Sequence, residues 1–116
     1  MIPDFQKIAE PLIKARFPSV SSISVMDECR GVTHLDFVIG QTRIRLSWEP
    51  FGPPWAQIRN SRVATEHVAI GVLKFDDVLV SPDMKTEIET NRLLDIVEKK
   101  LKNQENIKNS KGIGQG

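Results

Sequence analysis

The stretch from Val32 to Trp48 constrains this chain more than any other. Apolar side chains recur at every second position on both sides of Gly40-Gln41: Leu35, Phe37 and Ile39 before it, then Ile44, Leu46 and Trp48 after it. A period of two puts these on one side of a pleated ribbon and His34, Asp36, Val38, Arg43, Arg45 and Ser47 on the other. A two-residue connection that opens with glycine predicts a hairpin with a type II′ turn, because glycine takes the positive φ of the first position without strain. Upstream, residues 20–28 alternate in the same way, with Ile23 and Val25 opposite the serines. The polar DECRG run at 27–31 between them ends in glycine, as a turn does. Three antiparallel strands in a meander are the expectation.

Helical patterns flank the meander. Over residues 3–17, Phe5, Ile8, Leu12 and Ala15 recur at helical spacing, with Ile13 and Phe17 widening the stripe. Pro11 interrupts that stripe, so either a kink there or a true start at Glu10 is expected. Ser81-Pro82-Asp83 is a helix start: a capping hydroxyl, a proline at the first position and an acid in the first turn. This helix should run to about Asn103 with Met84, Ile88, Leu93, Leu94, Val97 and Leu101 inward. Residues 104–116 lack a periodic face and are expected to be a disordered tail after a single domain spanning 1–103. Between meander and helix, residues 55–62 suggest a short return strand. Residues 63–80 fit strand or helix, and their β-branched content favours strand. Asp76-Asp77 would then be a turn and Val78–Val80 a short strand. The fold class is α+β: an N-terminal helix, the three-stranded meander with one or two further strands, and a long C-terminal helix packed on one face of the sheet.

Size and composition agree with one ordinary domain. At 116 residues, 40% hydrophobic and 27% charged, the chain can bury about two-thirds of its unfolded surface without a staple. A single cysteine, Cys29, allows no internal disulfide and points to a reducing compartment. MIPDFQKIAEPL has no basic segment followed by a long apolar run, and no stretch nears the roughly 20 apolar residues of a membrane span. A cytoplasmic protein without membrane contact is expected.

Constellations for catalysis or metal binding are weak. Cys29, His34, Asp36 and His67 are the only soft or borderline metal ligands, and they lack the close pairing of a zinc site. Cys29 and His34 could be imagined as a nucleophile and base, but no group orients the base. Asp36 and Glu49 sit where an αβββ nuclease carries its acids, yet position 51 is Phe where the pattern needs Lys. GIGQG at the end of the sequence has no helix after it to cradle a phosphate. No metal or cofactor is expected.

Charge and aromatic content are distributed unevenly. The net charge is only +1, but residues 30–62 hold Arg30, Arg43, Arg45, Arg59 and Arg62 against Asp36 and Glu49. Residues 76–89 reverse this, with Asp76, Asp77, Asp83, Glu87 and Glu89 against Lys85. Arginine without lysine suits directional pairing with carboxylates or phosphates. WEPFGPPW at 48–55 packs three aromatics and three prolines into a rigid apolar loop with little entropy to lose on binding. Trp48 should be core, and Phe51 or Trp55 exposed.

The order of helix, meander, further strands and helix resembles small bacterial interaction proteins such as toxin-immunity proteins and type III secretion chaperones. The chaperones are acidic as a class and this chain is not. The resemblance implies a partner protein that is inhibited, neutralised or escorted by a monomer or homodimer. The expected binding residues are Arg43, Arg45, Phe51, Trp55, Arg59 and Arg62. The alternatives are a nucleic-acid-associated protein using the arginines and the lysine-rich tail, and an enzyme built on His34, Asp36 and Glu49.

Overall fold

A computed structural model describes residues 3–28, 31–50, 52–60, 63–71, 73 and 80–113, with the backbone alone described for Val63 and 105–113. The element order is α1 (Phe5–Arg16), β1 (Ile23–Asp27), β2 (Thr33–Ile39), β3 (Thr42–Trp48), β4 (Trp55–Asn60), β5 (Val63–Ala69) and α2 (Pro82–Ile113). The strands form one antiparallel sheet in the order β1-β2-β3-β4-β5, so every strand pairs with its neighbour in sequence. The meander is longer than the three strands read from the pattern. Residues 55–60 return as β4 and residues 63–69 take the strand alternative. The first strand is shorter than expected, beginning at Ile23 instead of position 20. The turn expected at Asp76-Asp77 and most of the strand at Val78–Val80 fall outside the described residues.

The β2–β3 hairpin forms in the predicted register. Ile39 pairs with Thr42 across Gly40, whose φ of 60° is the conformation that required glycine. Gly31, with φ 78°, closes the β1–β2 turn, and a Cβ there would approach Pro50 Cγ at 3.3 Å. The proline-rich loop is therefore seated against the turn at the other end of β2.

Both helices cover the same sheet face. The core joins Phe5, Ala9, Ile13 and Phe17 from α1 and its C-terminal edge to Leu35, Phe37, Ile44, Leu46, Trp48, Ala56, Ile58 and Val68 from the strands, and to Leu93, Leu94 and Val97 from α2. Trp48 stacks on Phe5 with ring centres 6.1 Å apart and planes 12° from parallel.

Two helix expectations need correction. α1 is continuous through Pro11 and starts at Phe5, with Asp4 Oδ1 accepting the Lys7 N–H at 3.2 Å as its cap. Pro11 lies on the exposed side. The helix can tolerate its missing donor there because the orphaned carbonyl one turn earlier can meet water. The buried line is Phe5, Ala9 and Ile13; Ile8 and Leu12 are half-buried and Ala15 is exposed. The small Ala9 is what allows close approach.

α2 starts as predicted, with Ser81 Oγ accepting the Met84 N–H at 3.2 Å. Its inward face differs. Met84 is 54% and Ile88 40% exposed, while Thr86, Glu89 and Thr90 are buried ahead of Leu93, Leu94 and Val97. The helix also continues past Asn103 to Ile113, where a disordered tail was expected. No residue between them breaks a helix until Gly112, so the backbone can propagate without an apolar face.

Candidate functional site

The sheet face opposite the helices carries every described candidate residue except Glu49. Strand register sorts this open face into three transverse rows. The first is Met26, His34, Ser47, Trp55 and Ala69; the second is Ser24, Asp36, Arg45, Gln57 and His67; the third is Val38, Arg43 and Arg59. Each row exists because alternation fixes the face and the hairpins fix the register.

The first row sets a polar cluster beside an aromatic. His34 is buried although it faces away from the core. Its Nδ1 lies 2.6 Å from Ser47 Oγ, and its Nε2 lies 2.9 Å from Glu28 Oε1, an ion-pair distance without hydrogen-bond geometry. Trp55 stands directly across from Ser47 and is half-buried. Trp48, at the other end of the proline loop, points to the core as expected.

The second row is self-neutralised. Arg45 donates through Nε and a terminal nitrogen to the two oxygens of Asp36, at 2.7 and 2.9 Å. The hydrogen bond to Asp36 holds the Arg45 guanidinium above its ordinary pKa. Both groups remain about a third exposed, so the pair fixes geometry more than it stabilises the fold.

In the third row, Arg43 and Arg59 face each other directly across β3 and β4. Both are exposed, and neither has a hydrogen bond or an ion pair among the described residues. Like charges directly opposite in a sheet repel. An open groove of about 220 Å³ runs between this row and the second, with Ser22 and Ser24 on its β1 side and Gln57 on its β4 side.

Several sequence-derived candidates are thereby placed. Arg43, Arg45, Arg59 and Trp55 share one surface. Phe51, Arg62, Cys29 and Arg30 lie outside the described residues. His34 and Asp36 lie on one strand but engage different partners, and Glu49 follows the end of β3. Among the described residues no group of three or more His, Cys, Asp or Glu could hold a metal ion, and no helix is long and apolar enough to cross a membrane. The His34–Ser47–Glu28 cluster and the serines beside the groove were not singled out from sequence. The period-two pattern contained their positions, but a serine opposite a histidine becomes meaningful only once the register is known.

Comparison with protein-family models, with curated proteins and with solved structures found no match for this chain.

Proposed function

We propose that this chain is a non-enzymatic protein-binding module. Its open sheet face engages a partner protein that it inhibits, neutralises or escorts, as immunity proteins and inhibitors do. One observation carries the reading. The two helices occupy one face of the sheet and, among the described residues, no element covers the other, which sets Trp55 and three arginines on a five-stranded platform. Tryptophan and arginine are the residues that most often dominate binding energy at interfaces, and a pleated sheet holds them with little entropy to lose. A nucleic-acid partner would use the same arginines. Its affinity would fall steeply as salt displaces condensed counterions.

The test begins with affinity capture by the folded chain and identification of what it retains, followed by kinetics with the purified partner. Trp55→Ala should accelerate dissociation, with a loss of about 2 kcal/mol if the ring is a central anchor. Arg43→Glu combined with Arg45→Glu should slow association and change its salt dependence. If both variants keep their fold and bind as tightly as the parent, the open face is not the interface.

A further inference from the structure

We propose that Arg43 and Arg59 together form a seat for one oxyanion, a carboxylate or phosphate group presented by a protein partner. The inference rests on the reading of the open face as a binding surface and names the chemistry that this face recognises. Four observations on the same groove support it.

The two arginines are directly opposite on neighbouring strands, where Cβ atoms sit about 5 Å apart. At that spacing two guanidinium forks can close on a single anion from both sides. Neither fork is occupied by a group among the described residues. The adjacent arginine shows what an occupied fork looks like: Arg45 holds both oxygens of Asp36. That pairing also removes Asp36 as a counter-charge, so the only acid among the groove's described lining residues is already committed. The remaining polar groups beside the groove, the Ser22 and Ser24 hydroxyls and the Gln57 amide, can all donate. A site rich in donors, with the carboxylate of its described lining already paired, is complementary to an oxyanion.

The pattern favours one anion over a phosphate track. Among the described residues of this face the uncompensated charge lies in a single row. The next row is neutralised internally, and the row beyond it carries no arginine or lysine. Nucleic acid, with its repeating phosphates, calls for positive charge along a length of surface.

The experiment follows the Arg Nε–H signals of the full chain by NMR during titration with three kinds of probe. They are inorganic phosphate, a glutamate-rich peptide with and without a central phosphoserine, and a single-stranded DNA oligomer. Arg43 and Arg59 should shift with phosphate at millimolar concentration while Arg45 stays in place. Arg43→Gln and Arg59→Gln should each weaken the better peptide by about tenfold. A tighter fit for the plain peptide identifies the source as a carboxylate, and a tighter fit for the phosphorylated one identifies it as a phosphate. Relief of the like-charge contact should raise the thermal midpoint of Arg43→Gln. Arg43→Lys, which keeps the charge and loses the fork, should bind weakly without that gain, and it serves if the Gln variant does not fold. Silence of both arginines towards phosphate and both peptides would overturn the proposal, as would preferred binding of DNA with a steep salt slope. A silent titration beside a partner that Trp55→Ala still weakens would remove the anion seat alone and leave the binding face standing.

Discussion

Glu89 sits on the side of its helix where a charge is least welcome. It is 4% exposed, and burial raises its carboxyl pKa above the ordinary value, with Lys85 pulling weakly the other way. A carboxyl raised on folding binds its proton more readily in the native state. Its contribution to stability is full below the unfolded value near 4.5 and is lost as pH climbs through the raised native value. Glu89→Gln should therefore stabilise the protein at neutral pH by on the order of 1 kcal/mol and do little in acid. Thermal melts at both pH values check this; an equal effect at both would mean that the charge is not what Gln removes. Glu66 has the opposite sign. Its hydrogen bond to Lys100, 2.8 Å away, lowers its pKa, so its smaller, solvent-screened contribution is present above its unfolded value and fades as pH falls through the native one. Thr90 Oγ1 is buried with no partner among the described residues, so Thr90→Val should be neutral or stabilising. None of this was legible in the sequence. A polar residue inside a helix pattern reads as its outer face until packing shows which way the helix is turned.

At the scale of elements, the two helices and the sheet differ in how far pattern determined them. Each strand's face was readable because alternation leaves only two choices, and tight turns then locked the neighbours into register. β5 was ambiguous alone and was decided by pairing with β4, where Gln57 meets His67 and Ala56 meets Val68. A helix can rotate continuously, so its buried stripe is set by what it meets. In α2 that rotation replaces Met84 and Ile88 with Thr86 and Thr90 at the interface while keeping Leu93, Leu94 and Val97. Alanine substitution should separate these sets. Leu94→Ala should cost about 2–5 kcal/mol by opening a cavity, whereas Ile88→Ala should stay within about 0.5 kcal/mol as a surface change. Denaturant midpoints measure both; comparable losses would mean that α2 is rotated from the orientation described.

Across the whole molecule, the core is closed by elements that flank the sheet in sequence. α1 precedes every strand, α2 follows them all, and the two pack against each other as well as on the sheet, with an Arg16–Asp95 ion pair between them. Phe5 lies at the start of this closure and stacks on Trp48. Phe5→Ala should therefore cost about 3–5 kcal/mol, despite lying in the first turn of a terminal helix where fraying would ordinarily be expected. A small loss in a urea melt would show that α1 is dispensable to the fold. The α+β class was legible because patterns of period two and period 3.6 occupy separate blocks of the chain. The binding face was legible only as a list of arginines, since their pairing or lack of it depends on which residues the register sets side by side.

The order of elements has a consequence for the chain as it is made. Hairpins β1–β2 through β4–β5 join neighbours in sequence, so each can form soon after its second strand exists. Leu35, Phe37, Ile44, Leu46 and Ile58 are then all present before any of Leu93, Leu94 and Val97. Until then the apolar side of the sheet has only α1 to cover it, and partly exposed apolar surface is the condition under which nascent chains stick to one another or to a holdase. Leu93, Leu94 and Val97 of α2 are the last of these core residues to be made, so the apolar side is fully covered only once α2 has arrived.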